Sequence, residues 1–170
     1  AHTLRAVLMY MHYQAESGTS CPLTMTHAAV PAMRYGKSLP SYWLDKLING
    51  VYDPRSLPAS QKNGVTIGMG MTEKQGGSDV RRNTTTATKQ RDGSYSIVGH
   101  KFFFSAPMCD AHLILAQAEG GLSCFLLPRI LENGELNNVR IQRLKDKLGD
   151  WSNASSEVEF QEATAYLIGE

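Results

Sequence analysis

The residues best placed to do chemistry lie in one stretch, Gly68-Met69-Gly70-Met71-Thr72-Glu73-Lys74-Gln75-Gly76-Gly77-Ser78-Asp79-Val80. Four glycines stand among small polar side chains directly after a predicted strand. Glycine lets a backbone approach a ligand closely, and Gly76-Gly77 can take positive φ and turn successive N–H groups outward. Thr72 and Ser78 add hydroxyls suited to a carbonyl, a ring nitrogen or a phosphate oxygen. The same glycines can also serve only to turn the chain between two strands. The stretch fits neither G-x-G-x-x-G nor G-x-x-x-x-G-K-S/T, which excludes the two commonest nucleotide-binding loops. Glu73 and Asp79 resemble a catalytic pair, but carboxylates inside such a loop more often support it by accepting local hydrogen bonds.

Other candidate chemistry is sparse. The five histidines, His2, His12, His27, His100 and His112, show no metal-ligand spacing, so they read as structural or surface residues and no metal is expected. The three cysteines, Cys21, Cys109 and Cys124, are far apart in sequence and form no C-x-x-C pair. Neither a disulfide framework nor a zinc site is indicated, and a reducing cytoplasm fits best. Arg140, Arg143, Lys145 and Lys147 make a basic run, but Asp146 and Asp150 interrupt it, as in a solvated strand end rather than a DNA contact.

The elements that must position the loop can be read from periodicity. Leu4, Val7, Leu8 and Met11 recur at helical steps within residues 4–15, with Gly18 as the expected stop. Further helices are expected over 22–33 and 41–48, the latter capped by Ser41 and ended by Gly50. The Pro- and Ser-rich run Tyr52 to Pro58 reads as a connector. Beyond it the pattern turns to strands, over 65–71, 84–89, 95–98, 101–105, 112–116, 122–128, 139–143 and 155–160. Asp92-Gly93 marks a hairpin. Helices followed by an antiparallel sandwich or barrel make an α+β chain. The expected domains are 1–60, the end of a helical domain plus linker; 61–165, a β-domain; and 166–170, the start of a further helical domain.

Composition agrees with an ordinary globular chain: 170 residues, 42% hydrophobic, 19% charged, 17 Lys plus Arg against 16 Asp plus Glu, net charge +1. That balance carries no global footprint of a nucleic-acid binder, so any polyanion site must be local. No apolar run approaches the about 20 residues that span a bilayer. With no initial Met and no recognisable final element, the sequence reads as an excised piece.

Three ordered motifs resemble the acyl-CoA dehydrogenase family. Met71-Thr72-Glu73 through Gly77-Ser78-Asp79-Val80 matches its small-apolar-T/S-E-x-x-x-G-S-D-V segment. Gly99, Lys101 and Phe103-Phe104-Ser105 match its G-x-K-x-W-I-T hairpin. Lys145-Asp146-Lys147-Leu148-Gly149 followed by Ser155-Ser156-Glu157-Val158-Glu159-Phe160 matches a third. The resemblance covers essentially the whole chain and is strongest to a branch that acts in the bacterial response to DNA alkylation. It implies an FAD site made of Met69, Met71, Thr72, Gly77, Ser78, Phe103, Phe104 and Ser105. In that scheme Thr72 meets the pyrimidine side of the flavin, Ser78 lies nearer the phosphates, Phe103 and Phe104 pack beside the ring and Ser105 donates toward N5. Glu73 and Asp79 support the loop.

The resemblance further implies a cytoplasmic, homo-oligomeric oxidoreductase of acyl-CoA thioesters, homotetrameric in the family. Its base takes an α-proton and lies in a C-terminal domain outside these residues, so no catalytic residue is expected here and the chain alone is expected to be inactive. The alternative implied by the alkylation-response branch is a flavoprotein that binds double-stranded DNA through that same domain and protects it, with vestigial dehydrogenase activity. Phe103 replaces the usual Trp. Trp151 replaces an expected Arg, which removes five hydrogen-bond donors.

Overall fold

The computed structural model describes residues 2–169; Ala1 and Glu170, the outer limits of the expected terminal domains, lie outside the described residues. Three helices come first: α1 (His2–Ala15), α2 (Ser20–Met33) and α3 (Tyr42–Ile48). The periodic stripe of α1 forms as expected, but Leu4, Val7, Leu8 and Met11 are all exposed. Gly18 is needed for a close approach rather than as the helix stop, because a Cβ there would come within 2.0 Å of Ser152 Oγ. Next to it, Glu16 accepts from the Gly18 and Thr19 N–H groups at 3.0 and 2.7 Å, which satisfies free donors at the start of α2. Ser41 itself adopts helical angles and makes no side-chain cap.

Seven strands follow: β1 (Ile67–Gly70), β2 (Thr86–Lys89), β3 (Tyr95–Ser105), β4 (Ala111–Ala118), β5 (Gly121–Pro128), β6 (Val139–Leu144) and β7 (Ser155–Ile168). β3 pairs with β7, β7 with β5, and β5 with β4, all antiparallel. Both β1 and β2 then pair with β3 on one side and β4 on the other, which closes the ring. β6 adds to the free side of β7. The expected all-antiparallel pattern needs one correction: β1 and β2 run parallel to β4. They are two pieces of one interrupted strand. β1 fills one end of the slot between β3 and β4, β2 fills the other, and residues 73–84 leave the wall between Thr72, whose carbonyl bonds Phe102, and Thr85, whose carbonyl bonds Gln117.

Two expected strands, 95–98 and 101–105, are one. Gly99 carries the chain through at φ +145°, and a Cβ there would meet Thr85 at 2.6 to 2.8 Å. β7 is longer than its apolar alternation suggested and runs across the expected domain limit at 165/166. Residues 166–168 are therefore strand, not the opening of a helical domain.

The barrel interior is filled by Ile97, Phe104, Ile114, Phe125, Leu127, Val158 and Phe160. A second core lies outside the wall, where Ala29, Met33, Trp43 and Leu47 pack on Ile67, Leu113 and Leu126. β4 is thus apolar on both sides, Leu113 toward the helices and Ile114 inward, and its sequence reads as a nearly continuous apolar run.

Candidate functional site

The candidate face is built where β1 and β3 emerge from under the helices. Met69 lies opposite Ser105 in the ladder. The Phe102 N–H donates to the Thr72 carbonyl at 2.8 Å, continuing the same register beyond the strand end. Alternation then puts Ile67, Met69 and Met71 of one segment, and Phe103 and Ser105 of the other, on the outer side of the wall. Ile67 is buried under α2 and α3, Met69 sits at the border of that layer, and Met71 is exposed. The inner side holds the glycines. A Cβ on Gly68 would come within 2.4 Å of the His112 imidazole, and one on Gly70 within 2.6 Å of Phe104.

Phe104 is consequently not on the expected face. It is 2% exposed and stacks on His112 inside the barrel at 3.8 Å between ring centroids, whereas Phe103 is 43% exposed. The two aromatic neighbours were expected to share a ligand, and strand parity separates them.

The loop is held by Glu73, which is fully buried. It accepts from Lys101 Nζ at 2.7 Å and Thr85 N at 3.1 Å through one oxygen. The other takes Thr84 N at 2.7 Å, Thr84 Oγ1 at 3.0 Å and Gln75 Nε2 at 2.7 Å. Burial alone would raise the Glu73 pKa, but these donors, Lys101 foremost, hold it well below the ordinary carboxylate range. Burial also lowers the Lys101 pKa, opposed by Glu73. A buried charge satisfied on every side is structural. Asp79 is exposed and pairs with Arg81 at 3.1 Å. Gly77 lies against Thr72, since a Cβ at that position would sit 2.6 Å from Thr72 Oγ1. Ser78 is exposed on the same loop.

Several supporting residues went unnoticed as such in the sequence. His112 Nε2 lies 3.2 Å from the Ser105 carbonyl and 3.1 Å from that of Ala106, so its N–H tethers the end of β3 where Ala106 takes φ +53°. Burial, outweighing those carbonyls, pushes the imidazole pKa from 6.5 down to about 3, so it is neutral. Ser155, opposite Ser105 on β7, places its Oγ 3.3 Å from Ser105 Oγ and also accepts from Lys147 at 3.3 Å. Lys145 bonds Glu157 at 2.9 Å and lies 3.2 Å from the Phe102 ring centroid and 4.4 Å from that of Phe103. Within the basic run, therefore, Lys145 is only 8% exposed and fastened in place, while Arg143 is largely solvated. A signal for Ser155 and Lys147 was present, because both fall in the third motif; their role depends on a register that spacing does not disclose. Trp151 projects into solvent.

The face therefore offers an apolar, partly aromatic surface from Met69, Met71 and Phe103, one hydroxyl from Ser105, and a glycine-lined loop beside them. That set suits a flat heteroaromatic ring bearing hydrogen-bond acceptors.

Comparisons with known proteins identify the family. Residues 1–54 match the adaptive response protein AidB N-terminal domain. The chain is 55% identical to AidB of Escherichia coli (strain K12) over 99% of its own length and 31% of that protein's. It is 38% identical to acyl-CoA dehydrogenase family member 11 of Caenorhabditis elegans, covering 89% of this chain and 26% of that one. Among solved structures, C. elegans ACDH-11 in complex with C11-CoA superposes with a TM-score of 0.74 at 35% identity, over 88% of this chain and 26% of that one. The chain thus spans less than a third of the length of these relatives. Residues 68–163, which include the glycine loop, the Phe103–Ser105 strand end and Ser155, match the acyl-CoA dehydrogenase middle domain, and the chain belongs to that family.

Proposed function

We propose that these residues form the flavin-bearing wall of an FAD-dependent acyl-CoA dehydrogenase-type oxidoreductase. The carrying observation is that Met69, Met71, Phe103 and Ser105 share the outer side of the wall beside the glycine loop. When bound, FAD supplies a hydride acceptor. Phe103, Met69 and Met71 exclude water from one side of the ring, Ser105 donates a hydrogen bond toward N5, and Thr72, Gly77 and Ser78 hold the remainder of the cofactor. Phe104 takes no part in that contact.

Glu73, buried among five donors, is not free to act as a base, and Asp79 lies on the exposed loop paired with Arg81. The proton-abstracting group, much of the acyl-CoA and oligomer contact, and full FAD affinity are assigned to parts of a longer, cytoplasmic protein. The isolated 170-residue chain is accordingly expected to bind FAD weakly and to show no turnover; sub-micromolar binding in a fluorescence titration would contradict this. In the flavin-loaded full-length protein, Ser105→Ala is expected to slow flavin reduction about 10- to 1,000-fold. Unchanged stopped-flow reduction would remove Ser105 from the reaction.

The 55% identity to AidB supports placing the chain beside that protein; the second reading, a DNA-protecting flavoprotein with vestigial dehydrogenase chemistry, is what the motif resemblance to the alkylation-response branch implies. Since Lys145 and Lys147 are committed to local partners, DNA would be held elsewhere in the protein. A salt-dependent duplex shift by the full-length protein, absent with this chain, tests that reading.

A further inference from the structure

We infer that Lys147 and Ser155 are positioning residues that fix the direction of the Ser105 hydroxyl, so that its proton is held outward for an acceptor atom of the ligand. The inference rests on the flavin reading above.

A lysine ammonium has three N–H donors and no acceptor. Lys147 Nζ donates to the Asp150 carbonyl at 2.8 Å, to the Asn153 carbonyl, and to Ser155 Oγ at 3.3 Å. Three acceptors use its full capacity and hold it in place inside the turn that joins β6 to β7. Ser155 Oγ therefore accepts from a cation, and its own proton must go elsewhere. The residue is only 4% exposed, so bulk water is not the natural taker. Among the described residues one other side-chain partner lies within reach, Ser105 Oγ at 3.3 Å. Ser155 donates to it.

Ser105 Oγ is then an acceptor toward Ser155, and its proton is left to point away from β7, over the face it shares with Phe103 and Met69. The backbone fixes the geometry on both sides. Ser105 pairs with Ser155 in the β3–β7 ladder, the Lys145 N–H donates to the Ser155 carbonyl at 2.8 Å, and His112 tethers the Ser105 carbonyl. Without the relay the Ser105 hydroxyl could turn among three staggered positions or donate to Ser155 itself. A cation at the head of the chain also polarises each hydroxyl that follows, making the last O–H a better donor. The site thereby selects an acceptor, such as an unprotonated ring nitrogen, over a donor.

The test uses the full-length protein reconstituted with FAD labelled with ¹⁵N at N5. Ser105→Ala sets the reference, moving the N5 resonance to that of a nitrogen without a hydrogen bond. Ser155→Ala is expected to move it in the same direction by a smaller amount and to slow flavin reduction about 3- to 10-fold, the loss of one fixed orientation among three rather than of the donor itself. Ser155→Thr, which keeps the hydroxyl, restores both. Lys147→Met removes the cation but also loosens the turn, so Ser155→Ala, which leaves Lys147 in place, is the deciding variant. A Ser155→Ala protein with wild-type resonance and wild-type reduction overturns the relay. If Ser105→Ala leaves the resonance unmoved as well, the flavin reading falls with it; if Ser105→Ala moves it and Ser155→Ala does not, the relay alone falls.

Discussion

Helix α1 and the barrel wall are both built from well-patterned sequence, yet they end in opposite situations. On α1 the apolar stripe is regular and no residue is buried; Leu4 and Leu8 of the stripe, with Met9 and with Leu23 and Thr24 of α2, line an open groove of about 450 Å³. In the wall, β4 is covered on both sides, and even a lysine and a glutamate are sealed in without exposure. Periodicity states which face of an element is apolar. Whether anything covers that face depends on which other elements are at hand, and for α1 these residues do not supply them. Stability in this chain should accordingly be concentrated in the wall and nearly absent from α1.

Three measurements test that contrast. The largest effect is expected from Lys101→Met, which leaves the buried Glu73 carboxylate without its cation and should destabilise the chain by about 3–5 kcal/mol in denaturant unfolding. A loss below 1 kcal/mol would mean that the loop anchor is not part of the cooperative core.

The second concerns pH. His112 has its pKa depressed from 6.5 to about 3 by burial, so the folded chain keeps it neutral while the unfolded chain takes up a proton below 6.5. Its contribution is complete above pH 6.5 and declines as pH falls toward 3, by about 1.4 kcal/mol per pH unit. Glu157, held at about 2 chiefly by Arg143 and then Lys145, and Glu16, held at about 2 chiefly by Ser152, add to the decline only below their ordinary value of 4.5. His112→Gln should flatten the slope between pH 6.5 and 4.5 and leave the steeper fall below it. An unchanged slope would show that the imidazole is not sealed in the wall. The smallest effect is expected on the helix: Leu8→Ala should change stability by less than about 0.5 kcal/mol, and a loss of 2 kcal/mol or more would show that the α1 stripe is covered in solution.

Much of the molecule was legible from residue order. The helices, the Asp92-Gly93 turn and the glycine loop fall where periodicity and turn chemistry put them, because each is specified by neighbours within a few positions. Gly93 takes φ +87° in that turn. The misreadings concern partners distant in sequence. That β1 and β2 occupy one slot parallel to β4 follows from closure of the ring, which no local pattern encodes. The length of β7 was underestimated because its second half, from Gln161, has a positive-φ Glu162 and an irregular exposure pattern.

The site divided in the same way. Met69, Met71, Phe103 and Ser105 do share a face, and Thr72 continues the ladder beside them. Phe104 was separable from Phe103 by alternation alone, a local rule that the shared motif obscured. Ser155 and Lys147 reach Ser105 only through the β3–β7 register, set by residues 50 positions apart.

The broken strand has a consequence for how such a wall can change over time. Each stump is aligned by its own neighbours, β1 by Ser105 and Ala111–Ile114, β2 by Tyr95–Val98 and Gln117. Residues can be gained, lost or exchanged in the excursion between them without sliding either stump or disturbing any pair around the ring. The ligand-facing segment is thus free to diversify on a scaffold that does not register the difference, subject to one constraint: the buried glutamate at its root must keep its lysine.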